Sequence, residues 1–378
     1  MRLFVTGSTG FIGSHFLRAA LAAGHEVIAL RYPGTQPVIQ IPESDRLTWV
    51  DGDLNSFLTN PSDFQSDRLS DPSSAIIPPP LAEGPFAFSS SPVADISAFS
   101  FPLCSASASV AFPATPSTSP GNDKVLPHGC SAFSSSALVH LAAYGVSPQP
   151  CTWQNAFQIN VLDSILLMER AIEARVPRIV LSGSCMEYGR SAERFENIPP
   201  HAPLEPTGPY AASKAALSVA ASALCRQKNV DLAILRLFTV FGEGQNPNNL
   251  WPSLHRAALA GEDFPMSPGE QISDFVPVEE VAKAFLRALE LPSEAFHFSP
   301  SPPPVSTFPS SPISSFNFPL STFPLVANIG TGHPQTIRAF AEHWWKEWGA
   351  TGKLLPGALP YRDNEAMRYV PEVDEKFK

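Results

Sequence analysis

The sequence predicts an α/β fold in which helices cover both faces of one doubly wound parallel sheet. Three observations predict it. Runs of strand length alternate with segments of helical period wherever the chain is regular. The strand-like runs are apolar at consecutive positions, as in strands covered on both faces. The first of them also passes through a glycine-rich turn straight into a helix.

In chain order, Arg2-Leu3-Phe4-Val5-Thr6 is the first strand. A helix follows from Phe11 to Ala23, with apolar residues at helical spacing, and Gly24 stops it. Val27 to Leu30 and Leu47 to Val50 read as short buried strands, and Ala137-Leu138-Val139-His140-Leu141 as a fourth. Next come a long helix from Trp153 to about Ala174 and a strand at Arg178 to Ser182. A helix from about Pro209 to Gln227 then leads into a strand at Leu232 to Leu237. Strand–helix alternation of this kind gives right-handed parallel crossovers.

Two stretches break the regularity, at about 56–136 and 294–324, and they hold much of the chain's 41 prolines. Segments such as Pro85-Phe86-Ala87-Phe88-Ser89 carry neither period. Proline at this density removes ladder donors and breaks helices, so both stretches are expected to be long irregular insertions. Their phenylalanines are unusual for solvated chain. Either the stretches bind a partner or cap a cleft, or they are tolerated loop expansion or translated intervening sequence.

Composition excludes several classes. A net charge of −10 with no basic run argues against a binder of nucleic-acid backbone. The five cysteines are irregularly spaced with no CxxC pair, so neither a disulfide framework nor a metal site is indicated. No charged leader and no apolar run near membrane-spanning length is read, so a cytoplasmic setting away from membranes is expected.

Gly7-Ser8-Thr9-Gly10-Phe11-Ile12-Gly13 lies between the first strand and the first helix. Glycine there lets backbone approach a pyrophosphate, whose charge sits on the helix N-terminus. Gly7, Thr9, Gly10, Phe11, Ile12 and Gly13 are therefore candidate dinucleotide-binding residues. At the end of the second strand stands Arg31, with no acid in Ala29-Leu30-Arg31-Tyr32. A guanidinium suits a 2′-phosphate, which tilts the cofactor to NADP over NAD; otherwise Arg31 stacks on adenine or faces solvent. Tyr210 and Lys214 are one helical turn apart on one face. The ammonium is expected to lower the phenol toward a working pKa, for proton transfer at a carbonyl oxygen.

These motifs resemble the extended short-chain dehydrogenases, the NAD-dependent epimerase/dehydratase type. The likeness rests on the G-x-x-G-x-x-G spacing, Asp51-Gly52-Asp53-Leu54, His140-Leu141-Ala142-Ala143, Asn160 and Leu181-Ser182-Gly183-Ser184-Cys185-Met186-Glu187-Tyr188-Gly189. It implies a Rossmann-type domain over 1–245 and a small substrate lobe over 246–378, with some strand exchange between them. It implies adenine contacts at Asp53 and Leu54, a segment beneath the cofactor at Leu141, Ala142 and Ala143, and a structural role for Asn160. Ser184 becomes the catalytic hydroxyl beside Tyr210 and Lys214. The implied substrate is a nucleoside-diphosphate sugar, met by Tyr144, Glu187, Thr239 and Arg362. Glu187 either holds a sugar hydroxyl or is a structural acceptor, and Arg362 is either a diphosphate clamp or a surface arginine.

Where 4,6-dehydratases of the family carry Asp-Glu, this chain has Cys185-Met186. The wording is closest to nucleotide-sugar 4-ketoreductases of the CDP-abequose or CDP-paratose synthase kind. Cys185 is either an acid/base or a small apolar side chain. In Arg236-Leu237-Phe238-Thr239-Val240-Phe241-Gly242, Thr239 and Phe241 replace the usual Asn and Tyr, and Ser273-Asp274-Phe275-Val276 lacks the usual arginine. Asn328-Ile329-Gly330-Thr331-Gly332 resembles the strand that closes the substrate lobe. The leading expectation is NADPH-dependent reduction of a 4-keto-6-deoxyhexose. Its rivals are a 4-epimerase with retained NAD and a catalytically silent cofactor-binding module. No metal is expected, and a homodimer stays open.

Overall fold

The computed structural model describes residues 1–54, 135–146, 151–296, 324–361 and 366–377, all within one compact unit. Its first half runs β1 (Arg2–Thr6), α1 (Phe11–Ala22), β2 (Glu26–Arg31), β3 (Leu47–Asp51), β4 (Ala137–His140), α2 (Trp153–Phe157), α3 (Ser164–Glu173), β5 (Arg178–Ser184), α4 (Pro209–Lys228) and β6 (Asp231–Leu237). The remainder runs β7 (Thr239–Phe241), α5 (Leu250–Ala260), β8 (Phe264–Met266), β9 (Ile272–Pro277), α6 (Val278–Glu290), β10 (Leu325–Ile329), β11 (Pro334–Thr336), α7 (Ile337–Glu347), β12 (Leu354–Pro356) and β13 (Arg368–Tyr369).

Seven strands form one parallel sheet in the order β10-β6-β5-β4-β1-β2-β3. The expected doubly wound fold is present. Alternate residues of β1 feed two cores, Leu3 and Val5 one face and Phe4 the other. On the first face Phe16 and Leu17 of α1 meet Val281 and Phe285 of α6, with the two phenyl rings edge to face at 6.1 Å. On the second, Leu167 and Met168 of α3 pack with Leu217 and Ala221 of α4. Gly24 ends α1 as expected. At φ 82° it allows Gly24 N–H to reach Leu21 O and His25 N–H to reach Ala20 O, both at 3.0 Å.

Three expectations are corrected. The single helix over 153–174 is interrupted by a π turn, Gln158–Asp163, between α2 and α3. The Ser164 hydroxyl donates to Ile159 O, five residues back, at 3.0 Å, and Asn160 turns inward to a partner outside the helix. The strand containing Asn328 does not close the lobe. β10 extends the main sheet beside β6, because Leu325, Ala327 and Ile329 all bury into the first core. The second insertion also starts later than about 294. Phe296 is fully buried, and the Arg178 guanidinium lies 4.4 Å from its ring centroid. The rest of both insertions lies outside the described residues.

Beyond the main sheet, β9 pairs with β7, β11 and β13, and β8 pairs with β12. Phe275 of β9 stacks on Phe340 of α7, and Trp344 and Trp348 meet Trp251 of α5. Trp344 and Trp348 also pack on a small core separate from the two at the sheet, around Leu254, Met266 and Trp345.

Candidate active site

β1 and β4 are neighbours at the middle of the sheet, where the strand order reverses and the flanking loops part to leave a crevice. The glycine turn sits there. Gly7 has φ 69°, and a Cβ on it would lie 2.4 Å from Ala142 N. A Cβ on Gly13 would lie 2.0 Å from Gly7 O, so α1 starts as close to the turn as backbone permits. No side chain caps α1 and its first turn holds no acid, which leaves the amides of Phe11, Ile12 and Gly13 pointing outward for an anion. This cradle and its uncapped amides fit a pyrophosphate. Thr9 Oγ1 lies 3.3 Å from Thr35 Oγ1 and its carbonyl accepts from Val38 N, which closes the following loop over the turn.

Arg31 and Asp51 end adjacent strands in register, and two hydrogen bonds join them at 2.5 and 3.1 Å. The Arg31 hydrogen bond holds the Asp51 carboxyl below its ordinary pKa. The guanidinium also lies 5.3 Å from the Trp49 ring centroid. Asp51 is a partner the sequence reading missed; its place one strand over from Arg31 was the available signal. Asp53 is exposed at the next turn and Leu54 packs on the second core. Leu141 follows β4 into the crevice, and Ala142 and Ala143 continue to Tyr144. The Asn160 amide grips Tyr144 through its N–H at 2.7 Å and its carbonyl at 2.9 Å, and donates to Ser213 Oγ at 2.9 Å. Ser213 in turn donates to Tyr210 O at 2.8 Å.

Ser184 ends β5, and its hydroxyl hydrogen-bonds the Tyr210 phenol at the start of α4. Lys214 follows one turn along, 2% exposed and without a hydrogen bond to any described residue. The three residues named from the sequence are thus brought together. Their electrostatics differ from expectation. Burial raises the Tyr210 phenol above its ordinary value, and the Ser184 hydrogen bond opposes this only in part. Burial also lowers Lys214 to about 8, against the pull of Glu187. His140, whose ring nitrogens meet Thr6 Oγ1 at 2.6 Å and Ser164 Oγ at 2.8 Å, is pushed down to about 3 by burial and by Lys214. Ser164 gives its one proton to Ile159 O, so His140 Nε2 carries the hydrogen and Nδ1 accepts from Thr6.

The side chain of Glu187 has no exposure. Its Oε1 accepts from Ser184 N at 2.7 Å, and its Oε2 accepts from Ser218 Oγ at 2.7 Å and Arg236 Nε at 3.0 Å. The geometry is that of the structural acceptor, with no oxygen turned to a sugar. Arg236 also donates to Tyr188 Oη and Pro200 O, and Tyr188 donates to Asn328 Oδ1. Cys185 is held as a thiol, pushed up to about 12 by burial and by Glu187, and packs with Tyr188 and Phe238. Its reading as a small apolar side chain fits.

At the substrate end, Thr239 Oγ1 pairs with Ser273 Oγ at 2.6 Å. Asp274, fully buried, accepts from Thr331 N and Gly332 N, each at 2.7 Å, and from the Thr331 hydroxyl at 3.1 Å. Arg362 lies outside the described residues. Among those described, no cluster of three His, Cys, Asp or Glu side chains could hold a metal ion, and no helix is long and apolar enough to cross a membrane.

The NAD dependent epimerase/dehydratase family profile matches residues 3–60 and 126–299, more than half of the chain. The bifunctional protein GAL10 of Pachysolen tannophilus is 32% identical over 176 residues, which are 40% of this chain and 25% of that protein. A UDP-glucose 4-epimerase of Lactobacillus helveticus is 26% identical over 172 residues, 41% of this chain and 52% of the relative. The chain thus spans about a quarter to a half of the length of these curated relatives. A solved dTDP-glucose 4,6-dehydratase of Streptomyces venezuelae, holding NAD, superposes with a TM-score of 0.61 at 20% identity, covering 99% of this chain and 88% of that one. With more than half of its length matched by the profile, the chain belongs to the NAD dependent epimerase/dehydratase family.

Proposed function

We propose that the chain is an NAD(P)-dependent oxidoreductase of a nucleoside-diphosphate sugar, and that it reduces the keto group of a 4-keto-6-deoxyhexose. The observation that carries this reading is the meeting of Ser184, Tyr210 and Lys214 at the ends of β5 and α4, in the crevice that holds the glycine turn. Beside them, Cys185 and Met186 offer no acid–base pair for elimination of water: one is a protonated thiol and the other a thioether. The phenol of Tyr210 is kept protonated, the form needed to give a proton to a carbonyl oxygen.

When bound, the nicotinamide dinucleotide supplies hydride. Gly7, Thr9, Gly10, Phe11, Ile12 and Gly13 would hold its pyrophosphate at the N-terminus of α1, Asp53 and Leu54 would meet the adenine, and Leu141, Ala142 and Ala143 would line the cofactor site. Arg31, already paired with Asp51, would favour the 2′-phosphate of NADP. Tyr210 Oη gives its proton to the sugar carbonyl oxygen while the Ser184 hydroxyl orients the phenol. Lys214, as an ammonium, stabilises the phenolate left behind. Tyr144 and Thr239 would meet the sugar nucleotide, and Arg362, outside the described residues, is the proposed partner of its diphosphate.

A second reading is a 4-epimerase with retained NAD, and the likeness to the Lactobacillus helveticus enzyme favours it. Mixing the protein with NADPH and a panel of nucleotide-linked 4-keto-6-deoxyhexoses tests both. Loss of NADPH absorbance with formation of the 4-hydroxy sugar supports reduction. Interconversion of UDP-hexose epimers without consumed reductant, and no reaction with the keto sugars, replaces it by epimerisation.

A further inference from the structure

Burying a carboxylate is costly unless cations and hydrogen bonds compensate it. Glu187 is compensated on every side: Ser184 N comes from the end of β5, Arg236 from β6 and Ser218 from α4. Space is kept for it as well. A Cβ on Gly183 would lie 2.9 Å from Glu187 Oε1 and 2.9 Å from Arg236 Cγ, so the residue before Ser184 must be small. Ser218 is one turn beyond Lys214 on the buried face of α4, so the carboxylate that it and Arg236 hold lies against the helix face that carries Lys214.

We propose that Glu187 is a positioning residue for proton transfer: anchored by Arg236 and Ser218, its carboxylate fixes the turn that presents the Ser184 hydroxyl and sets a buried negative charge on the Lys214 face of α4. The inference rests on the reading of Tyr210 as proton donor. Two observations support it. Glu187 and Ser184 form a reciprocal capping box, in which Ser184 Oγ accepts from Met186 N at 3.2 Å while Glu187 accepts from Ser184 N. This leaves the hydroxyl one orientation toward Tyr210. In addition, the other titratable groups near Lys214 supply no negative charge. His140 on β4 is neutral, Tyr210 on α4 and Cys185 and Tyr188 in the turn keep their protons, and Arg236 on β6 is a cation. Glu187 is the anion that offsets the burial of Lys214.

The test follows the lysine directly, in the full chain. Isotope-labelled lysine Cε resonances are titrated by NMR, with the Lys214 signal assigned from its loss in Lys214→Met. Wild type is expected to titrate near 8. Glu187→Gln keeps an acceptor for Ser184 N but removes the charge, and its midpoint should fall by about one pH unit or more. Glu187→Asp, which retains the charge, should stay close to wild type. In turnover, Glu187→Gln should lower kcat at neutral pH by about tenfold with KM little changed, and the decline of kcat at high pH should begin earlier. An unmoved Lys214 midpoint in Glu187→Gln overturns the proposal. If that variant does not fold, Arg236→Gln replaces it: losing the competing cation should raise the Lys214 midpoint, and no rise overturns the proposal equally. The titration uses no sugar nucleotide, so a wrong substrate leaves it intact, while an unmoved midpoint with normal turnover sinks this inference alone.

Discussion

Tyr210 and Lys214 carry opposite consequences of the same burial, one holding its proton more tightly and the other less. Tyr210→Phe removes the only atom that differs between the two rings. It should cut kcat by about 100-fold or more while NADPH binding, read by quenching of tryptophan fluorescence, stays near wild type. Arg31→Asp sets a second carboxylate beside Asp51, and titration with both cofactors should show preference moving from NADP to NAD. His140 links the site to stability. It is neutral in the fold down to about 3, whereas in the unfolded chain it takes a proton near its ordinary 6.5. Between those values the unfolded state binds more protons, so stability falls as pH falls, by roughly 1.4 kcal/mol per unit from this group. Denaturant melts between pH 6.5 and 4 should show this slope, and His140→Gln should flatten it. Local spacing made Tyr210 and Lys214 legible in the sequence, since four residues on a helix is one turn. The pairing of Glu187 with Arg236 was not, because it joins residues 49 apart through the packing of two strands and a helix.

The interrupted helix shows where element-level reading fails. Apolar spacing locates a helical segment over residues 153–174, but one extra residue per turn falls within the tolerance of the pattern. The cause lies outside the helix: Asn160 is drawn to Tyr144 and Ser213, and so links the loop after β4 to the start of α4. Asn160→Leu fills similar space and leaves the Tyr144 N–H and carbonyl without their partner. It should cost about 3 kcal/mol in denaturant unfolding, since a buried polar group deprived of its bond costs about 1–3 kcal/mol. Turnover should drop further than stability alone accounts for, because Tyr144 and, through Ser213, the backbone of Tyr210 both lose their anchor. The glycine turn, by contrast, was fully legible, because its constraints are local contacts of backbone with backbone.

At the scale of the molecule, the strands that alternate with helices up to residue 237 were legible as one parallel sheet, because every connection except that from β3 to β4 returns the chain beside its predecessor. The seventh strand was not. β10 comes only after β7, α5, β8, β9, α6 and a proline-rich stretch, and its apolar alternation against β6 brings it back. Removing about 60–130 and 298–322, with linkers long enough to span the joined ends, should leave a protein that folds and binds NADPH. Both segments lie outside the described residues, every strand of the described sheet lies elsewhere in the chain, and loop-closure entropy changes slowly with length. Extending the second cut back through Phe296 should destabilise it by about 3–5 kcal/mol in denaturant melts, the usual loss for a buried phenylalanine. The late arrival of β10 also sets a schedule for biosynthesis. A ribosome that has finished β6 must still make everything from Phe238 to Pro324 before that strand's outer edge finds its neighbour. At about 5–20 residues per second, the nascent chain carries an open, apolar sheet edge for several seconds. Throughout that interval the edge is a template on which another chain can pair.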